Sequence, residues 1–247
     1  MQNRPKISIA WSGGKDSTLA LHRIINSGQW HVDHLHTVVN ADTRCVGLHG
    51  IHEDLIERQA GALGFPLKKL YLDPSPTNNA YQKLVQSYCE ELKSQGILHM
   101  MFGDIFLEDL KDYRDTMLNS IGLTGVYPLW QEDTVELFRE FLSTGFHSLL
   151  CAADTSLLTK ELVGLPLSEE MLVNDLQQVD PCGENGEYHS FVTDGPIFSE
   201  PVPVTCVDVI SKAYRFEALN EAGETEEHSS TFWFADMRFV EEGVPGN

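Results

Sequence analysis

Between Ile7 and Gly28 the chain lays out a strand, a glycine turn and a helix, and this segment constrains its fold most tightly. An apolar run, Ile7 to Trp11, leads into Ser12-Gly13-Gly14-Lys15-Asp16-Ser17. Beyond it the pairs Ala20/Ile24 and Leu21/Ile25 recur at the four-residue spacing of a buried helix face, and Gly28 supplies the stop. Such an order aims free backbone N–H groups and the positive end of a helix at an anion. Glycines let the backbone approach closely, Lys15 adds a point charge, and Ser12 and Ser17 add hydroxyl donors. The segment reads as a nucleotide phosphate site; the plainer alternative is a Gly-Gly turn with Asp16 at a helix start.

The spacing narrows which phosphate site this is. An ordinary NTPase loop needs a glycine five residues before Gly-Lys and a Ser or Thr directly after the lysine. Here Ile9 and Asp16 hold those places, and the three spaced glycines of a dinucleotide fold are missing. The string instead resembles the PP-loop of the ATP pyrophosphatases, enzymes that cleave ATP between the α and β phosphates.

Strand and helix patterns alternate through the first half. Strands are expected at Leu35 to Val39, Leu67 to Leu72, Ile97 to Phe102 and Val126 to Trp130. Helices are expected at Asp54 to Leu63, at Leu107 to Ile121, and on the face Tyr81, Leu84, Val85, Tyr88 and Leu92. Alternation of this kind implies a parallel sheet covered by helices on both faces, with ligands at the carboxyl ends of its strands. The second half is less regular. It reads as a helix at Val135 to Leu142, a strand at Ser148 to Ala152 and a helix at Glu169 to Gln177. A β-rich end follows, with strands at Val204 to Ile210, Arg215 to Leu219 and Thr231 to Val240 and a turn at Asn220 to Gly223. The expected class is α/β, with a Rossmann-like parallel sheet in residues 1–130 and a smaller α+β domain in residues 131–247.

A chain of 247 residues with 42% hydrophobic residues can bury a substantial core. No apolar run approaches the roughly 20 residues of a membrane helix. Five scattered cysteines without a C-x-x-C pair fit a reducing compartment, so a cytoplasmic location is expected. With 37 acidic residues against 17 basic ones, the net charge of −20 argues against a nucleic-acid partner.

A second cluster, Asp180-Pro181-Cys182-Gly183-Glu184-Asn185-Gly186-Glu187-Tyr188-His189-Ser190, packs unusual chemistry into one loop. Glu184 and Glu187 suit magnesium, an amine or a base role, and His189 suits proton transfer. A polar, glycine-rich turn leading into a strand fits the same residues.

Together with the amino-terminal loop, the Gly-Glu-x-Gly-Glu-Tyr segment resembles the diphthine–ammonia ligase family. Gly103-Asp104-Ile105, Pro128-Leu129-Trp130 and Asp194-Gly195-Pro196-Ile197-Phe198 support the resemblance, which runs from about Ile7 to Phe198. It implies a Rossmann-like ATP-binding domain followed by a smaller domain that closes the cleft. The implied reaction activates the carboxylate of diphthine, a modified histidine on translation elongation factor 2, and joins ammonia to it. Two departures lie where substrate is expected. The family carries Glu-Thr where this chain has His189-Ser190, and Asp-Tyr-Gln-Arg where it has Glu108-Asp109-Leu110-Lys111.

On that basis the cofactors expected are ATP and Mg2+. Ser12, Gly13, Gly14, Lys15, Asp16 and Ser17 would hold the phosphates, Val39 and Asn40 adenine or ribose, and Asp16 and Asp104 the metal or its waters. Catalysis would rest on Lys15 with Glu184, Glu187 or His189 as proton acceptor. The partners expected are a carboxylate substrate, protein-borne diphthine or a small molecule, and ammonia from solution or from another protein. A homodimer is left open. Rival readings are a PP-loop enzyme on a soluble carboxylate and a module that holds ATP or AMP without turnover. His49, His52, Cys182, Tyr113 and Arg114 are secondary candidates, each with a plain structural reading beside it.

Overall fold

The computed structural model describes residues 4–73, 78–219 and 225–240. A parallel sheet is built on β1 (Lys6–Ala10), β2 (His31–Asn40), β5 (Leu67–Leu72), β6 (His99–Met101) and β7 (Thr124–Val126). Its spatial order is β5-β2-β1-β6-β7, so strand order reverses at β1 and its neighbours. The helices are α1 (Lys15–Ser27), α2 (Glu53–Leu63), α3 (Asn78–Ser94) and α4 (Glu108–Ile121). One core, containing Ile9, Leu21, Leu35 and Ile56, lies on the α1/α2 face. A second, containing Leu70, Val85, Tyr88 and Met100, lies on the α3/α4 face. This is the Rossmann-like α/β layering that the alternation implies.

The apolar pattern passed over a short ribbon, β3 (Cys45–Val46) and β4 (Ile51–His52), joined by a 3-10 turn at Gly47–His49. Val39 pairs with Tyr71 of β5 on one edge of β2 and with Val46 of β3 on the other. The ribbon therefore continues along β2 from where β1 stops at the Ala10–His36 pair. It rises beside the glycine turn that leaves β1.

A four-stranded antiparallel sheet, ordered β10-β11-β8-β9, forms from β8 (His147–Asp154), β9 (Tyr188–Asp194), β10 (Val204–Leu219) and β11 (Thr225–Phe239). Two helices, α5 (Thr134–Ser143) and α6 (Glu169–Asn174), accompany it. The two strands expected between Val204 and Leu219 are one continuous strand, and the turn expected at Asn220 to Gly223 lies outside the described residues.

Other expectations shift at their ends. The strand placed at Val126 to Trp130 ends at Val126 and is followed by a turn. Pro128 has no N–H for a ladder, and Gln131, at φ 59, turns back so that its N–H donates to the Ile105 carbonyl at 2.7 Å. β2 starts at His31, because its polar first half pairs with Lys6 to Ser8 without an apolar signature. In α1, Ala20 and Ile24 are buried as their spacing requires, whereas Ile25 is 37% exposed at the edge of the face. Among the described residues no helix is long and apolar enough to cross a membrane.

Candidate functional site

The glycine turn leaves β1 at the carboxyl end of the sheet. Gly13, at φ 81, has no room for a side chain: a Cβ would stand 2.7 Å from Ile56 Cδ1 and 2.8 Å from Gln59 Oε1. Gly14 forms the helix N-cap in an extended conformation and offers no side-chain cap. The first turn of α1 is thus left with donors for an anion. Gly103, after β6, is pressed on that turn, where a Cβ would lie 2.9 Å from the Ser17 nitrogen. Ser17 Oγ donates to the Gly14 carbonyl at 3.0 Å and sits 3.2 Å from Ser12 Oγ.

The second motif meets this turn directly. The Lys15 N–H donates to Ser190 Oγ at 3.0 Å, and the Val192 N–H donates to the Gly13 carbonyl at 2.9 Å. Gln59, fully buried on α2, ties the junction. Its amide donates to the carbonyls of Gly13 at 3.0 Å and Val192 at 2.6 Å, and it accepts from the Trp11 indole at 3.0 Å. The turn and β9 form one wall of a cleft of about 1760 Å³.

Lys15 is buried; its ammonium reaches both Asp16 carboxylate oxygens at 2.8 Å and the Cys182 carbonyl, over the Tyr188 ring. Burial opposes the charge most strongly, but Asp16, with Cys182 and Tyr188 beside it, outweighs it and holds the lysine protonated. Asp104 is ion-paired to Arg114, whose guanidinium stacks on Phe102. Glu184 accepts from the N–H of Ile105 at 2.7 Å and so pins the loop after β6. Burial, together with the charges of Asp16 and Asp104, pushes its carboxyl up to about 7 although the Ile105 bond pulls the other way.

The remaining expectations divide. Val39 is fully buried in the α1/α2 core; of the pair named for base or ribose, only Asn40 lines the cleft, beside Thr37 and Val38. Side chains alternate along a strand, so a one-residue difference decides the face. Asn40 Oδ1 is itself occupied, accepting from the N–H groups of Asp42 and Thr43. Glu187 turns inward, accepting from the Asp180 N–H and the Asn185 amide at 3.0 Å each, and Glu184 is the carboxylate that lines the cleft. His189 does line it, stacked on His49 with ring centroids 4.3 Å apart. Burial pushes His189 down to about 4 and holds His49 well below its ordinary value, so both rings are neutral. Among the described residues, the buried His189 Nε2 atom has no hydrogen-bond partner. Polar residues passed over on β2 and α2, His36, Thr37 and Gln59, carry no periodic signal that could have flagged them.

His52 is the N-cap of α2, accepting from the Asp54 N–H. Cys182 is buried, its thiol donates to the Thr134 carbonyl, and burial raises its pKa far above the thiol range, so it is inert. Among the described residues no three His, Cys, Asp or Glu side chains are grouped to hold a metal. Magnesium held mainly by substrate phosphates needs only one or two carboxylates, and Asp16 and Asp104, both at the cleft beside the loop, fit that demand.

The family model for the diphthamide synthase N-terminal domain matches residues 5–125, and that for the C-terminal domain matches residues 133–219. A diphthine–ammonia ligase from Danio rerio is 25% identical over 234 residues, spanning 81% of this chain and 86% of that protein. Those from Schizosaccharomyces pombe and Bos taurus are 28% and 27% identical, each over 41% of this chain. The match covers 18% of the yeast protein and 42% of the bovine one. With both domain models matched in order and the glycine loop joined to the glutamate loop across one cleft, the chain belongs to the diphthine–ammonia ligase family.

Proposed function

We propose that the chain is an ATP-dependent ligase that adenylates a carboxylate, releases pyrophosphate and passes the acyl group to ammonia. One observation carries this reading: the first helical N–H of the phosphate loop is hydrogen-bonded to Ser190, so the two motifs line one cleft. A carboxylate oxygen attacks the α phosphorus of ATP while the bond to the bridging β oxygen breaks. The leaving pyrophosphate takes its charge into the Gly13-Gly14 cradle, against Lys15 and the α1 amides. Bound magnesium would supply charge neutralisation of the phosphates from Asp16 and Asp104.

Ammonia then forms the new C–N bond, AMP departs, and a proton must leave the nitrogen. Glu184 is best matched to accept it, because a carboxyl near 7 exchanges protons at neutral pH. His189, near 4, is a poorer proton acceptor and suits a neutral, lone-pair contact with the incoming amine or acyl group. Because its relatives are diphthine–ammonia ligases, diphthine is the first substrate to try, with small carboxylates beside it. The decisive experiment follows labelled ATP with ammonium and each carboxylate, separately and together. AMP and pyrophosphate in equal amounts, dependent on both co-substrates, are expected. ADP and phosphate as products, or bound nucleotide that never yields AMP, would sink the reading.

A further inference from the structure

The ribbon of β3 and β4 has no part in the ligase chemistry described above, yet it spans from one sheet to the other across the phosphate loop. Its root is tied to the parallel sheet. Val46 pairs with Val39, and the buried Glu53 carboxylate, just after β4, holds Arg44 and accepts from the Tyr71 hydroxyl at 2.9 Å. Its tip rests on the antiparallel sheet instead. Gly50, at φ 67, lies against Phe234, where a Cβ would stand 2.4 Å from the ring. One residue earlier, His49 stacks on His189 with centroids 4.3 Å apart. His189 stacks in turn on Phe232 at 6.4 Å, with planes 19° apart.

This pile of three rings fixes where the outermost one stands. A Cβ on Gly14 would lie 3.4 Å from His49 Nε2 and 3.3 Å from Ser12 Oγ. Gly14 is the N-cap of the 13-residue α1, so His49 Nε2 stands at the mouth of the anion cradle. The cradle is short of donors at that point. In this structure the Lys15 ammonium directs its three hydrogens to the two Asp16 oxygens and the Cys182 carbonyl, and so gives the site charge. The N–H groups of Gly14 and Lys15 are spent on Ser12 Oγ and Ser190 Oγ, at 3.2 Å and 3.0 Å.

His49 lines the cleft, and among the described residues no hydrogen bond claims either of its ring nitrogens. An imidazole without a fixed partner takes the tautomer, or the proton, that puts hydrogen at Nε2 when an anion lies before it. The contact therefore does not depend on the charge state of the unliganded ring.

We propose that His49 is a further catalytic residue, which donates a hydrogen bond from Nε2 to the pyrophosphate group as it leaves. The bond from the α phosphorus to the bridging oxygen breaks, its electron pair stays on that oxygen, and no proton changes hands. The histidine stabilises the charge that the pyrophosphate gains. His189 and Gly50 are positioning residues that hold the ring at the cradle. The inference rests on the reading of Ser12 to Ser17 as the phosphate loop, and it adds a side chain that belongs to neither motif.

Binding of nucleotide and products tests it without an acyl substrate. Dissociation constants of the full chain are measured, with magnesium present, for pyrophosphate, ATP and AMP. His49→Phe keeps a ring in the stack. It should weaken pyrophosphate and ATP by about 10- to 100-fold, the share of one hydrogen bond to a charged group, and leave AMP unchanged. His49→Gln, whose amide can bring an N–H to the same place, should recover most of that loss. Nitrogen-15 spectra of the wild-type histidine rings give a check that needs no variant: pyrophosphate should move the His49 Nε2 resonance, and AMP should not. Unchanged pyrophosphate affinity in His49→Phe, or a His49 resonance that pyrophosphate leaves in place, overturns the proposal while the phosphate loop stands. Loss of AMP affinity by the same factor, or no recovery in His49→Gln, marks a structural role and overturns it as well. Failure of pyrophosphate and ATP to bind the wild type overturns the loop reading and this inference together.

Discussion

At the residue scale, two ionisable groups behave differently from what their positions in the sequence suggest. Read from sequence, Lys15 adds a point charge to the glycine turn, and nothing in its position marks it as part of the core. The structure buries it, with Asp16 and the Cys182 carbonyl as partners. Lys15→Met should therefore lower the rate of pyrophosphate release by about 10²–10³-fold, the cost of one transition-state donor. It should also destabilise the fold by about 1–3 kcal/mol, because buried acceptors lose their donor. Activity assays and urea titration of the same sample separate the two effects. Glu184 makes the opposite kind of contribution. Its folded pKa, about 7, lies above the ordinary carboxyl value of 4.5, so the folded state holds the extra proton between those values. Its share of stability is present below the unfolded pKa and is lost as pH rises toward 7. Glu184→Gln, which still accepts from the Ile105 N–H, should remove about 1–3 kcal/mol of that decline. Melting temperatures of both proteins from pH 4.5 to 8 measure this; parallel curves would refute it.

At the scale of elements, the junction between the phosphate loop and β9 hangs on Gln59. One side chain on α2 satisfies the Trp11 indole and the carbonyls of Gly13 and Val192, all away from water. Gln59→Leu keeps roughly the volume and strands these partners, so a loss of about 2–4 kcal/mol is expected in chemical unfolding. Nucleotide affinity should fall with it, since Gly13 also depends on that contact for its position. Little of this was visible beforehand, because Gln59 sits in an apolar helical pattern and its partners are 46 and 133 residues away in the chain. The glycine turn itself was legible, since a turn between strand and helix is a local pattern.

For the whole molecule, the net charge of −20 on 247 residues opposes compaction through self-repulsion. Raising sodium chloride from 10 mM to 150 mM shortens the screening length from about 30 Å to about 8 Å. The melting temperature should rise by about 2–4 °C, equivalent to about 1 kcal/mol for a chain of this size. A flat or falling curve would show that the acidic residues are already neutralised by partners within the fold.

By itself, the sequence determined the layered parallel sheet and the glycine turn between β1 and α1. Those follow from apolar periodicity and from glycine backbone freedom, which act over a few residues. Tertiary structure alone decided which carboxylate faces the cleft and that Val39 belongs to the core. Those outcomes depend on partners far apart in the chain and on the side of a strand a residue occupies. Polar residues inside strands leave no periodic trace of either.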